Sequence, residues 1–148
     1  MDALVIGPAA GLTGPVARGL RRRGLRVLQA VPADVADAER IDWLLAEARR
    51  PALIVLFDTA PYVTAHALLE HTSAEVVLVA ERRAPAAGAE PSRSYAPWPD
   101  GRGLRVVTLG RAGRRWFRLG AARTEALSAE RAAALVLRSC GAAAASSR

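Results

Sequence analysis

The stretch from Ala3 to Arg23, ALVIGPAAGLTGPVARGLRRR, constrains the fold of this chain more than any other part of the sequence. It begins with a short apolar run, which is typical of a buried parallel strand. Three glycines follow at positions 7, 11 and 14, and apolar residues then recur at four-residue spacing, as in a helix with one buried face. A strand, a glycine turn and a helix in direct succession favour a nucleotide-binding α/β fold.

The glycine turn has two interpretations. Without a Cβ, glycine can adopt a positive φ and approach a pyrophosphate closely, and the free N–H groups at the start of the helix would stabilise a phosphate. However, the spacing G-x-x-x-G-x-x-G is one residue off the usual dinucleotide fingerprint, and Pro8 and Pro15 remove two donors. The turn is therefore either a nucleotide loop or a tight structural turn. The first interpretation predicts cofactor contacts at Gly7, Ala10, Gly11, Leu12, Thr13 and Gly14.

Further apolar runs predict the remaining strands, at residues 26–31, 53–57, 75–80 and 104–109. Asp37 and Ser128 are positioned as N-caps of two further helices. We predict a single α/β domain over residues 1–140, a Rossmann-like three-layer sandwich with a parallel sheet of about five strands and a stub strand at 33–35. Residues 81–103 are predicted to form a long flexible loop, and 141–148 a disordered tail.

The segment after the third predicted strand carries candidate catalytic groups. Ligands of open α/β sheets bind outside the carboxyl ends of the strands, where Asp58, Thr59 and Ala60 would lie. A helix starting near residue 61 would place Tyr62 and His66 one turn apart. Asp58, Tyr62 and His66 could then perform acid/base chemistry. Alternatively, Asp58 caps this helix and the two rings lie on its exposed face.

The basic residues are unusual in type and distribution, because all 21 are arginine. The absence of lysine excludes Schiff-base chemistry, a Walker lysine and a Tyr-Lys catalytic pair. Residues 1–81 hold 8 arginines and 10 acidic residues, a net charge of −2, whereas residues 82–148 hold 13 arginines and 4 acidic residues, a net charge of +9. The basic half is either a surface for an acidic or phosphorylated partner or a solvated arginine-rich surface.

Other features of the sequence limit the function further. Residues 111–118, RAGRRWFR, resemble either a single-stranded nucleic-acid site or a surface strand with a buried aromatic edge, and we favour the strand. Cys140 is predicted to be a buried thiol in the last helix, and the two histidines lack the spacing of a zinc site. No run of about 18 apolar residues and no signal-type segment occur, which predicts a soluble, cytoplasmic protein without a membrane partner.

Two segments carry a resemblance to a known family. They are ALVIGPAAGLTGPVARGLRRRGLRVL and ADVADAERIDWLLAEARRPALIVLFDTAPY. From Ala3 to about Glu70 the chain resembles the opening of extended short-chain dehydrogenases/reductases, most closely the dTDP-4-dehydrorhamnose reductase and nucleotide-sugar epimerase group. The resemblance implies NAD or NADP as cofactor. In an NAD-binding fold an acidic residue near the end of the second strand holds the ribose hydroxyls, and here only Asp34 is available.

The chain departs from this family at its catalytic residues. The family uses a Tyr-x-x-x-Lys pair, whereas Tyr95 is followed four positions later by Pro99. The resemblance therefore implies a shortened, atypical relative without the standard hydride-transfer machinery. We predict a protein that binds a dinucleotide, nucleotide or small metabolite at the Gly7–Gly14 loop and is not an ordinary oxidoreductase, and non-redox acid/base chemistry is one activity left open to it. The alternative is a non-catalytic partner or regulatory subunit that binds another protein, or a second copy of itself, through its arginine-rich C-terminal half.

Overall fold

The computed structural model describes residues 2–8, 11–58, 67–83, 104–112, 115–118 and 125–140. The elements in chain order are β1 (Asp2–Ile6), α1 (Thr13–Arg22), β2 (Arg26–Ala30), a 3-10 helix (Pro32–Val35), α2 (Ala38–Glu47), β3 (Leu53–Asp58), α3 (67–71), β4 (Glu75–Arg83), β5 (Leu104–Ala112), β6 (Arg115–Arg118), β7 (Glu125–Leu127) and α4 (Ala129–Ser139). All five predicted parallel strands are present, and the predicted α/β class is confirmed.

The strands of the described ranges form one seven-stranded sheet in the order β2-β1-β3-β4-β5-β6-β7. Neighbours from β2 to β5 run parallel, whereas β6 and β7 are antiparallel additions at one side. The chain passes from β2 to β3 across β1, so the direction of winding reverses between β1 and β3. This reversal opens a crevice at the carboxyl edge of the sheet, where ligands of such folds bind.

Side chains along each buried strand alternate between two cores, as two covered faces require. Val5 of β1 packs with α1 and α4, whereas Leu4 packs with α2 and α3. The α1/α4 core also contains Val16, Leu20, Val55, Val77, Ala133 and Val136. The α2/α3 core also contains Ile41, Leu44, Ile54, Leu68, Leu69 and Leu78. The three-layer sandwich is therefore confirmed.

The ends of α4 fix its direction relative to the sheet. Ser128 Oγ accepts a hydrogen bond from the Arg131 N–H at 3.2 Å, which confirms the predicted N-cap. At the other end, the Ser139 carbonyl accepts from Arg105, close to the start of β5, at 3.1 Å. Because the end of α4 lies at the amino edge of the parallel strands, its beginning lies at the carboxyl edge, beside the beginning of α1.

The segment after β2 differs from the prediction. Instead of a stub strand, Pro32–Val35 forms a 3-10 helix. Asp34 Oδ2 accepts from the Val31 N–H at 3.0 Å, and the Asp34 N–H donates to the Val31 carbonyl at 2.9 Å. Pro32 has no N–H for a strand ladder, and the reciprocal Val31–Asp34 bonds close a turn in its place.

Strands β4 and β5 extend beyond the end of β3. Asp58 pairs with Ala80, and the β4–β5 ladder continues to Arg83, which pairs with Arg111. The loop predicted for 81–103 is therefore wrong at its start, because residues 81–83 complete β4. Residues 84–103 and the predicted tail at 141–148 lie outside the described residues.

The part of β5 that extends beyond the end of β3 pairs with the strand predicted from the RAGRRWFR motif. Arg115–Arg118 (β6) pairs antiparallel with residues 109–112 of β5. Trp116 is 5% exposed and belongs to the α1/α4 core. The alternative of a surface strand with a buried aromatic residue therefore describes this motif.

Candidate nucleotide-binding site

The turn between β1 and α1 is tightly packed at its first glycine. The Gly7 N–H donates to the Ala30 carbonyl of β2 at 3.0 Å. A Cβ at Gly7 would lie 2.5 Å from Thr13 Oγ1 and 3.0 Å from Phe57 Cβ. A side chain there would require Thr13 and Phe57 to shift, so glycine at this position allows α1 and β3 to approach the turn closely.

The second and third glycines have different surroundings. Gly11 has a φ of +91°, in the left-handed region that favours glycine. A Cβ at Gly14 would meet only Arg18 Nη1, at 3.3 Å, so it has no close backbone neighbour. The structure therefore requires glycine at the first two positions of the motif and not at the third.

None of the described residues provides a side-chain cap for the first turn of α1. Leu12 occupies the N-cap position and forms no side-chain cap hydrogen bond, and the first turn contains no acidic residue. The first helical bond runs from the Val16 N–H to the Leu12 carbonyl at 3.0 Å. The N–H groups of Thr13 and Gly14 precede it and have no acceptor in the described part of the chain, while Pro15 has no N–H.

The Thr13 hydroxyl lies beside these donors and has no hydrogen-bond partner among the described residues. Thr13 is 5% exposed, and Oγ1 points toward Gly7, into the turn. A buried hydroxyl without a partner costs about 1–3 kcal/mol. A ligand oxygen placed in the turn would relieve this cost, because a hydroxyl can donate to it.

Arg18 supplies positive charge to the same turn. The side chain is exposed, and its Nη1 atom reaches back one helical turn to Gly14. A cation near the start of a helix is unfavourable with respect to the helix dipole. An anion bound at the start of α1 would reverse this effect and pair with the guanidinium.

Trp116 comes from β6, near the other end of the strand order, and lies against the turn on the same face of the sheet as α1. A Cβ at Gly11 would be 3.6 Å from Trp116 Cζ2, an ordinary van der Waals distance. Since β6 is four places from β1 in the sheet, a flat sheet would separate the two strands by about 19 Å. In the structure β6 pairs with the overhanging end of β5, and its indole packs beside Gly11 in the loop after β1.

Asp34, the predicted ribose-binding residue, lies at the same edge of the sheet. It follows β2 and is half-buried. The Oδ2 atom accepts a hydrogen bond from the Val31 N–H, and Oδ1 accepts none from the described residues. One carboxylate oxygen of Asp34 holds the turn that carries it, and a role in binding a ribose stays a prediction.

The proposed acid/base group falls mostly outside the described residues. The backbone of Asp58 ends β3 at the carboxyl edge, as predicted. Neither its side chain nor Ala10, Thr59, Ala60, Tyr62 or His66 belongs to the described part. The convergence of Asp58, Tyr62 and His66 on one site therefore stays a prediction.

Cys140 is the buried thiol that the sequence predicts. It is fully buried at the end of α4, and its Sγ donates to the Val136 carbonyl at 3.4 Å. Burial raises the pKa of the thiol to about 11, which keeps it protonated at neutral pH. Among the described residues, no group of three or more His, Cys, Asp or Glu side chains could hold a metal ion, and no helix is long and apolar enough to cross a membrane.

Comparisons with known proteins give one structural likeness to report. No protein-family model matches the chain, and no curated protein matches it at a significant level. Among solved structures, the chain is similar to a GDP-L-fucose synthetase from Naegleria fowleri, with 10% sequence identity and a TM-score of 0.40. The similarity covers 68% of this chain and 35% of that protein, so this chain spans about a third of its length.

Sequence reasoning missed two residues at the turn. Arg18 is four positions after Gly14, and this helical spacing could have indicated that its side chain reaches the first turn. No local signal could have placed Trp116 beside Gly11. That contact joins residues more than 100 positions apart and depends on the strand overhang.

Proposed function

We propose that this chain is a short-chain dehydrogenase/reductase-like protein that binds the phosphates of a dinucleotide, nucleotide or small metabolite at the Gly7–Gly14 turn. The observation that carries the proposal is the buried Thr13 hydroxyl without a described partner, at the start of a helix that has no side-chain cap. Together with the N–H groups of Thr13 and Gly14, it offers three donors to one anion. Arg18 adds a positive charge.

NAD or NADP fits this donor set through its pyrophosphate. The Thr13 hydroxyl and the first two N–H groups of α1 would hold the phosphates, and Asp34 Oδ1 would accept from a ribose hydroxyl. A bound nicotinamide supplies hydride transfer. The chain has no lysine, so a Tyr-Lys pair is not available to assist that transfer. The non-redox acid/base chemistry predicted for Asp58, Tyr62 and His66 involves side chains outside the described residues and stays a prediction.

Calorimetric titration tests the proposed binding site. Inorganic pyrophosphate, ADP, NAD and NADP are added at about 0.15 M salt, which screens nonspecific attraction to exposed arginines. We expect saturable binding of at least one of them, and we expect Thr13→Val to weaken it about tenfold, because a hydrogen bond to a charged group is lost.

The variants Thr13→Ser and Ser128→Ala are the matched controls. Thr13→Ser keeps the hydroxyl and should retain the affinity, and Ser128→Ala removes a hydroxyl from the start of α4 and should not change it. Absence of binding for all four compounds, or equal affinity in Thr13→Val, would overturn the proposal. Either result would favour the alternative, a protein partner bound through the arginine-rich half.

A further inference from the structure

One side of the turn packs beside a residue that no local motif predicts. Trp116 belongs to the same core as Leu12 and lies at van der Waals distance from a Cβ at Gly11. The indole comes from β6, on the β5 side of the sheet. A ligand held at the start of α1 therefore meets the indole if it extends toward β4 and β5 along this face.

The opposite side of the turn adjoins the end of β2, where the Gly7 N–H donates to the Ala30 carbonyl. β2 is the terminal strand of the described sheet. Just beyond it, Val31 is 44% exposed, and Asp34 follows in the 3-10 helix. An exposed apolar side chain and a carboxylate next to each other can contact a base and a ribose hydroxyl.

Resting on the proposed phosphate site, we propose that the turn takes a mononucleotide rather than a dinucleotide. The nucleoside extends toward Val31 and Asp34, and the terminal phosphate lies at the start of α1 with Trp116 behind it. NAD contains the ADP unit and continues from its terminal phosphate into a second ribose and nicotinamide. That second half would have to pass where the indole lies. Trp116 is thus a specificity-determining residue that limits the length of the ligand.

The test compares ADP with NADH by calorimetry in the wild type and in Trp116→Leu. We expect the wild type to bind ADP at least tenfold more tightly than NADH. Trp116→Leu should narrow this ratio to about threefold or less, because the smaller side chain leaves room for the second nucleoside. The readout is the change in the ADP/NADH affinity ratio from the wild type to Trp116→Leu. The charge difference between ADP and NADH affects both proteins equally and therefore cancels. Trp116→Phe keeps an aromatic ring and should show the same affinity ratio as the wild type. It controls for a partial loss of packing at this position. Thermal unfolding verifies that each variant is folded.

Each outcome separates this inference from the proposed function. NADH binding as tightly as ADP to the wild type would overturn the length limit and leave the phosphate site intact. A ratio that Trp116→Leu does not change would overturn the role of Trp116. No binding of ADP, NADH or pyrophosphate to any folded variant would overturn the phosphate site and the inference together. If Trp116→Leu does not fold, the wild-type ratio and the Trp116→Phe ratio still decide between a mononucleotide and a dinucleotide.

Discussion

Helices α1 and α4 pack side by side on one face of the sheet and begin at the same edge, but their first turns differ. α4 begins with the Ser128 hydroxyl bound to the Arg131 N–H and has Glu130 in its first turn. α1 begins with Leu12, which provides no side-chain cap, and has no acidic residue there. It also buries the Thr13 hydroxyl without a described partner.

This difference indicates where a ligand is needed. A side-chain cap and an acidic residue satisfy the N–H groups and the dipole at the start of a helix. α2 has both as well, in Asp37 and Glu39. In α1 the corresponding donors face a glycine turn, and the nearby charged group is the cation of Arg18. An external anion would supply to α1 what Ser128 and Glu130 supply to α4.

The largest effect is expected from filling the turn of α1. Gly7→Val places atoms where a Cβ alone would be 2.5 Å from Thr13 Oγ1 and 3.0 Å from Phe57 Cβ. We expect the free energy of unfolding to fall by about 3 kcal/mol, because α1 must move away from the sheet. Urea denaturation measures this change. Gly14→Ala is the control, since a Cβ there meets only a flexible arginine; equal losses in both variants would show that the packing at Gly7 is not special.

The buried Cys140 thiol, at the C-terminal end of α4, makes the packing of that end testable through the pH dependence of stability. The pKa of Cys140 is raised from 9.0 to about 11, so the folded protein holds the thiol proton more tightly than the unfolded chain. Stability should therefore fall as the pH rises from about 9 to 11, by up to about 1.4 kcal/mol per pH unit. Denaturation at several pH values, compared with Cys140→Ala, isolates this contribution. An identical pH slope in the variant would contradict the burial of the thiol.

Removing the cap of α4 should produce a smaller loss. Ser128→Ala leaves the Arg131 N–H without its side-chain acceptor, and we expect the free energy of unfolding to fall by about 1 kcal/mol. Ser128→Asp restores an acceptor and should recover most of this loss. If Ser128→Ala unfolds at the same urea concentration as the wild type, the cap of α4 contributes nothing and the contrast with α1 loses its basis.

The smallest effect has the opposite sign. Thr13→Val replaces the buried hydroxyl by a methyl group of similar size, so without ligand the free energy of unfolding should rise, by up to about 1 kcal/mol. Thr13→Ser should not produce this gain. Chemical denaturation without phosphate in the buffer provides the measurement. Destabilisation of Thr13→Val by more than 1 kcal/mol would mean that the hydroxyl already has a partner within the protein.

The part of the fold that depends on local patterns could be predicted from the sequence. β1, the glycine turn and α1 follow one another within about 20 residues, and the caps Asp37 and Ser128 each act on an N–H three positions later. One prediction from a local pattern is wrong: the residues after β2 are expected to form a short strand, whereas Pro32–Val35 forms a 3-10 helix.

The rest of the site depends on distant contacts. The overhang of β4 and β5 arises from cross-strand pairing up to Arg83 and Arg111, and no periodicity within either strand indicates where it ends. The contact of Trp116 with the turn follows from that overhang. That Thr13 Oγ1 finds no hydrogen-bond partner among the described residues is likewise a property of the assembled core, since a threonine at the start of a helix is usually expected to cap it.

The central claim is that the start of α1, and not that of α4, binds an anion. The most direct measurement is a titration of ¹⁵N-labelled protein with inorganic pyrophosphate at about 0.15 M salt, following the amide resonances of Thr13 and Gly14 against those of Ala129 and Glu130. We predict saturable shifts at Thr13 and Gly14 and unchanged resonances at the start of α4. Equal shifts at both helix starts, or no saturable shift at Thr13 and Gly14, would contradict the account.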